Sequence, residues 1–164
     1  MRRFVWTSLF YMAMAATAWA GDPYCTDHYG QPVVWVEQQD QSKLANALYQ
    51  FNGQPVIVTN ADAAKKSGLS EDSIQFLKLH ECGHLVLGHK VRPGTTVQAF
   101  RDIVDQADCW AANKFFYAGE EEKLKAIESE INEMDQGNWV NIAGPVRKLD
   151  LENTCRFKTP VWSK

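Results

Sequence analysis

Short apolar runs rich in Val and Ile predict two β-strands near the start of the chain. They cover residues 32–36 and 55–59, and the turn pair Asn52-Gly53 introduces the second run. In the segment between them, residues 41–51, apolar positions recur at spacings of three and four, which predicts a short helix. These positions are Leu44, Ala47, Leu48 and Phe51. The pattern therefore predicts a β-α-β start.

Helical periodicity dominates the rest of the chain. Ser70 stands where an N-cap belongs, ahead of a helix that we predict to end near Gly88. A second helix is predicted over residues 97–117 and a third over residues 120–135, with Gly137 as its C-cap. The tail beyond it is predicted to be loop with short extended segments. A small sheet with several helices indicates the α+β class.

The first twenty residues have the pattern of a secretory signal peptide. Arg2 and Arg3 form a short positive start, residues 4–17 are mostly apolar, and Ala18-Trp19-Ala20 is a small-x-small cleavage site. The apolar run is short for a bilayer span, although an uncleaved membrane anchor is the alternative. Cleavage after Ala20 leaves residues 21–164 as one predicted domain of 144 residues.

Removal of this segment changes the net charge, and export changes the state expected for the cysteines. The 164-residue chain has 17 basic and 20 acidic residues; without Arg2 and Arg3 the basic count falls to 15, so the net charge moves from −3 to −5. An acidic chain gives no reason to expect nucleic acid as a partner. No later run is apolar enough to span a membrane, so we expect a periplasmic or secreted protein. Four cysteines in such a compartment predict disulfides, with three possible connectivities.

The sequence His80-Glu81-Cys82-Gly83-His84 lies inside the helix that begins after Ser70 and matches the pattern H-E-x-x-H. Residues four apart project from the same helix face, so two imidazoles can bind one metal ion while Glu81 reaches a water on it. The plainer alternative is two helix histidines and a surface glutamate. The motif predicts a zinc site in which His80 and His84 are ligands and Glu81 is the general base.

A catalytic zinc needs a third protein ligand, and the next helix offers Asp102, Asp105 and Asp108. With H-E-C-G-H followed by A-D-C-W-A at residues 107–111, the chain resembles the small gluzincin-type zinc metallopeptidases. Residues 52–58 resemble the edge strand of that family, and residues 144–147 resemble its G-P-x-R turn. The resemblance implies a minimal zincin-like fold, in which a small mixed or antiparallel sheet packs on the H-E-x-x-H helix and on a second helix that carries the third ligand.

The chain departs from this family at the third ligand. The family pattern has a zinc-binding Glu four residues before the Asp of A-D, and this Asp orients a histidine; here that place holds Val104. Either Asp108 binds the metal, or Asp105 does so while Asp108 supports the site from behind. The alternative is that both are solvated and the site has two protein ligands only.

Two further residues near the motifs have weaker assignments. A continuous helix would turn His89 about 140° away from His84, so we expect His89 to be a helix-end residue that faces away from the metal. Arg147 is expected either to contact substrate, at a carbonyl or a carboxylate, or to pair with an acidic helix residue and hold the tail.

The positions of the cysteines suggest one pairing. Cys82 and Cys109 lie within the two metal-helix motifs, so we expect a bridge between them and a second bridge between Cys25 and Cys155. The alternative is that Cys82 and Cys109 are buried thiols.

The expected function is that of an exported zinc metallopeptidase, an enzyme with one Zn²⁺ ion and a peptide or protein substrate. A zinc-bound water would attack the scissile carbonyl while Glu81 takes its proton and returns it to the leaving amine. Two other functions remain open, a metal-binding or scaffold protein with little or no activity and a hydrolase of a non-protein amide such as peptidoglycan. We expect no stable membrane insertion after the signal is cleaved.

Overall fold

The computed structural model describes residues 25–90, 94–142 and 144–157. The predicted signal peptide lies outside these ranges. In the described part no helix is long and apolar enough to cross a membrane.

A small mixed sheet forms the first half of the described fold. Its strands are β1 (Val34–Glu37), β2 (Ala45–Tyr49) and β3 (Pro55–Thr59), in the spatial order β1-β3-β2. The central strand β3 is buried along its whole length, pairs in parallel with β1 and pairs antiparallel with β2. The strand β2 is therefore an edge strand of this sheet.

Helices make up most of the remainder, which confirms the α+β class. The α-helices are α1 (Ala61–Ser67), α2 (Glu71–Val86), α3 (Val97–Tyr117), α4 (Glu121–Glu133) and α5 (Leu151–Thr154), with a 3₁₀ helix at Gln136–Asn141. Ser70 caps α2 as predicted, since its side chain accepts a hydrogen bond from the Ser73 amide. Glu130 of α4 accepts from both serine hydroxyls and so ties α4 to the start of α2.

The predicted helix over residues 41–51 is wrong, because this segment contains β2. Its residues pair with β3 from Ala45 opposite Thr59 to Tyr49 opposite Pro55, and the turn at Asn52-Gly53 joins the two strands as a hairpin. Interstrand hydrogen bonds therefore override the helical spacing of the apolar residues. The tail also differs from the prediction, since it contains the 3₁₀ helix and α5 rather than extended segments.

The predicted disulfide pairing is also wrong. The bonds join Cys25 to Cys82 and Cys109 to Cys155. The helices α2 and α3 cross at Gly83, whose Cα faces the backbone of Ala107. Successive helix residues are rotated by about 100°, so Cys82 is turned out of the crossing toward the N-terminal segment.

Candidate metal centre

The motif residues of α2 converge on one point beside the sheet. The Nε2 atoms of His80 and His84 are 3.0 Å apart. His80 is completely buried, and Glu81 is 4% exposed. Among the described residues, His80, Glu81 and His84 form a group whose ligand atoms all lie within 4.8 Å of one another. The i, i+4 spacing thus brings together the three residues that the sequence singled out.

Asp108 holds His80 from the side opposite this point. Its Oδ1 lies 2.7 Å from Nδ1 of His80, and its two oxygens also accept hydrogen bonds of 2.7 Å from Nη2 and Nε of Arg147. Burial alone would raise the pKa of Asp108, but His80 and Arg147 outweigh that effect and lower it to about 2. At neutral pH this carboxylate is ionised and accepts a hydrogen bond from Nδ1 of His80, which leaves Nε2 as the nitrogen of His80 that can bind a metal ion.

The expectation that Asp108 is the third metal ligand is corrected by this geometry. Asp108 contacts Nδ1 of His80, whereas a metal ion shared with His84 would lie at Nε2. Asp105 does not join the group either; it is exposed and lines a separate surface hollow with Leu87 and Gln106. Angles around an isolated helix could not show which nitrogen of His80 the carboxylate would meet.

Arg147 takes the second of its two expected roles, that of pairing with an acidic residue on a helix. Its guanidinium is 5.5 Å from the ring centroid of Trp139 and donates to the Pro145 carbonyl as well as to Asp108. Gly144 makes room for this arrangement, because a Cβ there would lie 2.9 Å from Nη1 of Arg147. The turn at residues 144–147 therefore serves to place a cation against Asp108.

Glu81 is anchored at the edge of the sheet. The backbone amide of Ala47 in β2 donates a 2.6 Å hydrogen bond to Oε2 of Glu81. Burial raises the pKa of the Glu81 carboxyl, and the charge of His80 and the Ala47 amide oppose that rise. The result is a poorly solvated carboxylate held beside two histidines, which is an environment suited to a general base.

A cleft of about 490 Å³ opens beside Glu81 and His84. Val104, at the position where the family pattern has its zinc-binding Glu, lines this cleft with 1% of its surface exposed. Phe100, Ile103 and Pro145 add apolar surface, and Lys43 contributes a positive charge. In the described part of the chain, no carboxylate of α3 therefore reaches the metal-facing side.

His89 lies against the candidate metal centre, contrary to expectation. The helix α2 ends at Val86, and Gly88 turns the chain back with a φ of 68°, a conformation that glycine adopts readily. Nδ1 of His89 is 3.0 Å from Nδ1 of His84, and Nε2 of His89 is 3.3 Å from the side-chain oxygen of Gln106. The predicted rotation of 140° applied only to a helix that continued.

Burial and the neighbouring rings keep His84 uncharged. Burial, together with His80 and His89, lowers the pKa of His84 to about 3. A neutral imidazole has one lone pair available, which is the form that binds a metal ion. Both histidines of the motif thus have their outer nitrogens engaged by partners, Nδ1 of His80 by Asp108 and Nδ1 of His84 by His89.

Three residues at the centre were missed by the sequence analysis: Ala47, His89 and Gln106. Ala47 acts through its backbone amide, and almost any residue type could supply that amide, so the sequence gives no signal for it. The signal for His89 was Gly88, since a glycine just beyond a helix often reverses the chain direction. No sequence signal pointed to Gln106, which meets His89 only because α3 packs across α2.

Comparison of the chain with protein-family models, with curated proteins and with solved structures found no match.

Proposed function

We propose that this protein is an exported, zinc-dependent hydrolase of peptide bonds. The observation that carries the proposal is the convergence of the His80 and His84 Nε2 atoms beside the buried carboxylate of Glu81, with both outer nitrogens of the histidines occupied by partners. Such support of ligating histidines from behind is a general feature of metal sites.

The donor set suits zinc. Two ligands at the usual Zn–N distance of about 2.0–2.1 Å in a tetrahedron stand about 3.3 Å apart, and the two Nε2 atoms are 3.0 Å apart. Without a cation, one of these nitrogens has to donate a proton to the other. His80 and His84 would hold the ion, and the remaining positions would be open to water or substrate.

Glu81 supplies the acid–base chemistry in this proposal. A bound zinc ion would lower the pKa of a water and polarise the scissile carbonyl. Glu81 takes the proton of the attacking water and passes it to the leaving amine. The Ala47 amide holds Oε2 of Glu81, and Glu81 lines the cleft. His80 donates from Nδ1 to Asp108, which the Arg147 guanidinium keeps ionised, so Nε2 is the nitrogen of His80 that can face the ion.

Export is supported by the two disulfide bonds, which form and persist in oxidising compartments. The cleaved signal peptide of residues 1–20 remains a prediction from the sequence.

A second candidate function is metal binding without proteolysis. It is favoured by Val104, an apolar residue at the place where the family pattern has a carboxylate ligand. Two histidines alone bind zinc more weakly than the three protein ligands usual in catalytic sites.

The test compares wild type with Glu81→Gln and His80→Ala in zinc content and in digestion of a peptide library at neutral pH. We expect Glu81→Gln to keep its zinc and lose turnover, since glutamine still accepts from the Ala47 amide but takes no proton. His80→Ala should lose both, and Glu133→Gln, a surface change on α4, serves as the control that loses neither.

Other outcomes would refute the role of Glu81 or support one of the two alternative functions. Equal peptidase activity in wild type and Glu81→Gln would refute the role of Glu81. Bound zinc with no cleavage by wild type would support the metal-binding alternative, and release of muropeptides from peptidoglycan without peptide cleavage would support hydrolysis of a non-protein amide.

A further inference from the structure

A row of imidazoles continues beyond the motif and ends on an exposed amide. It runs from His80 to His84 through their Nε2 atoms, from His84 to His89 through their Nδ1 atoms, and from Nε2 of His89 to Gln106. The three contacts measure 3.0, 3.0 and 3.3 Å. His89 and Gln106 have no part in the chemistry assigned to Glu81, so their alignment with His84 needs its own explanation.

The row has two arrangements of protons when every ring is neutral. A neutral imidazole has one N–H donor and one lone pair, and each contact needs one of each unless an ion takes the place of the proton between the two Nε2 atoms. In the first arrangement, His84 donates from Nε2 to His80, and His89 donates from Nδ1 to His84. The Nε2 atom of His89 is then a lone pair, and Gln106 must turn its NH₂ group toward it.

In the second arrangement every proton points away from the motif. His84 donates from Nδ1 to His89, and His89 donates from Nε2 to the side-chain oxygen of Gln106, the atom that faces it in the structure. The Nε2 atom of His84 is then a lone pair. Because Asp108 already fixes a lone pair on Nε2 of His80, this arrangement alone presents two lone pairs to one ion.

We propose that His89 is a positioning residue that holds His84 in its metal-binding tautomer, and that the Gln106 carbonyl holds His89. The inference rests on the metal site of the proposed function and is independent of peptide hydrolysis. Asp108 and His89 then play matching parts, the first for His80 and the second for His84. The support of His84 by His89 ends at the exposed residue Gln106. A substitution there can change which nitrogen of His84 carries the proton without disturbing the core.

Substitutions of Gln106 by residues of similar size should have opposite effects on the tautomer of His84. Gln106→Glu provides an obligate acceptor and stabilises the second arrangement. Gln106→Lys provides an obligate donor, which makes Nε2 of His89 an acceptor and places the His84 proton on Nε2, where it blocks the metal. Gln106→Met removes the contact without adding charge. A residue that merely filled space would not separate these three variants by donor and acceptor character.

The experiment measures zinc affinity by chelator competition at constant pH, together with the tautomers of His84 and His89 from ¹⁵N NMR of the metal-free proteins. We expect Gln106→Glu to bind zinc as tightly as wild type or more tightly, Gln106→Met about 3- to 10-fold more weakly, and Gln106→Lys about 10- to 100-fold more weakly. The Nε2–H form of His84 should increase in the same order.

A matched control separates this effect from simple charge repulsion. Ala99→Lys adds the same charge on the same face of α3, two turns or about 10 Å away, where screening should limit its effect to about 2-fold. His89→Ala should weaken binding as Gln106→Lys does, and His89→Gln, whose side-chain carbonyl can accept from Nδ1 of His84, should recover part of the loss.

The outcomes distinguish this inference from the proposed function. Equal zinc affinities across the Gln106 series, or a His84 tautomer that does not follow it, would overturn the role of His89 and Gln106. If wild type binds no zinc, the proposed function fails, and the tautomers of the metal-free series still decide whether Gln106 sets the state of His84 through His89.

Discussion

Asp108 is a buried carboxylate whose two oxygens both accept hydrogen bonds within the fold. It accepts from His80 and twice from Arg147, and it is 3% exposed. An ionised group this deep is stable only because both neighbours donate to it. The free energy that it contributes therefore depends on its charge, and it should be visible in the pH dependence of unfolding.

We predict that Asp108→Asn lowers the unfolding free energy at neutral pH and that this difference shrinks in acid. The pKa of Asp108 is lowered to about 2 in the folded state, so its stabilisation is present above the unfolded pKa of about 4 and is lost as the pH falls through the folded value. The pH-dependent part should be roughly 2 kcal/mol. Urea unfolding of the metal-free protein between pH 7 and pH 2 measures it.

Asp105→Asn is the matched control one turn earlier on α3. Burial and the charge of Asp108 raise the pKa of Asp105, so its ionised form opposes folding, and the variant should equal or exceed wild type at neutral pH. Zinc affinity should fall by about 10- to 100-fold in Asp108→Asn and stay unchanged in Asp105→Asn. A loss of zinc in Asp105→Asn alone would show that Asp105 is a ligand after all.

Among the individual residues of the candidate site, the sequence predicted those whose positions depend on helix geometry alone. His80, Glu81 and His84 lie on one helix, so their spacing determines that they share a face. The role of Asp108 depends on how α3 crosses α2, and that of His89 on where α2 ends. Neither is contained in the spacing of residues within one helix.

Gly83 lies where α2 packs closely against α3. A Cβ at this position would lie 3.1 Å from the carbonyl oxygen and 3.2 Å from the Cα of Ala107, and 3.3 Å from Cβ of Trp110. Two of these neighbours are backbone atoms of a helix and move only if the helix moves. The close crossing brings Asp108, the residue after Ala107, within hydrogen-bond reach of His80.

We predict that Gly83→Ala is destabilising although it replaces glycine in a helix. Alanine is favoured over glycine by about 1 kcal/mol at exposed helix positions, but here the added methyl pushes α3 away at a cost of about 1–3 kcal/mol. The net loss should appear in urea unfolding, together with weaker zinc binding because Asp108 moves with α3.

The exposed residue Gln75 of the same helix provides the comparison, since Gln75→Ala should change stability by less than about 0.5 kcal/mol. An increase of about 1 kcal/mol in Gly83→Ala would mean that the crossing has room for a methyl group.

The helices α2, α3 and α4 and the strands β1 and β3 were predicted from local signals, whereas α1 and β2 were not. Ser70 marked the start of α2, and the periodicity of residues 97–117 matched α3. The segment of β2 has helical spacing, yet it becomes a strand because the hairpin at Asn52-Gly53 presents it to β3. The asparagine-glycine turn between two apolar segments was the signal for that hairpin.

The two disulfides connect the ends of the described chain to its centre. One joins the N-terminal segment to α2 through Cys25 and Cys82, and the other joins the segment after α5 to α3 through Cys109 and Cys155. The two central helices are not bonded to each other and depend on noncovalent packing at Gly83. Spacing along the sequence could not distinguish this pairing from the expected one, because all four cysteines are far apart in the chain.

We predict that proteolytic mapping without reduction gives one peptide pair containing Cys25 with Cys82 and another containing Cys109 with Cys155. The bridges close loops of similar size, with separations of 57 and 46 residues, so each double Cys→Ala variant should lose about 4 kcal/mol of unfolding free energy by restriction of the unfolded chain. If the proposed site binds zinc, saturating zinc should restore part of this loss in both variants, since the site is assembled only in the folded state. A Cys82–Cys109 peptide would instead mean that the helix crossing is covalent, and a much larger loss from one variant than from the other would show that its bridge does more than close a loop.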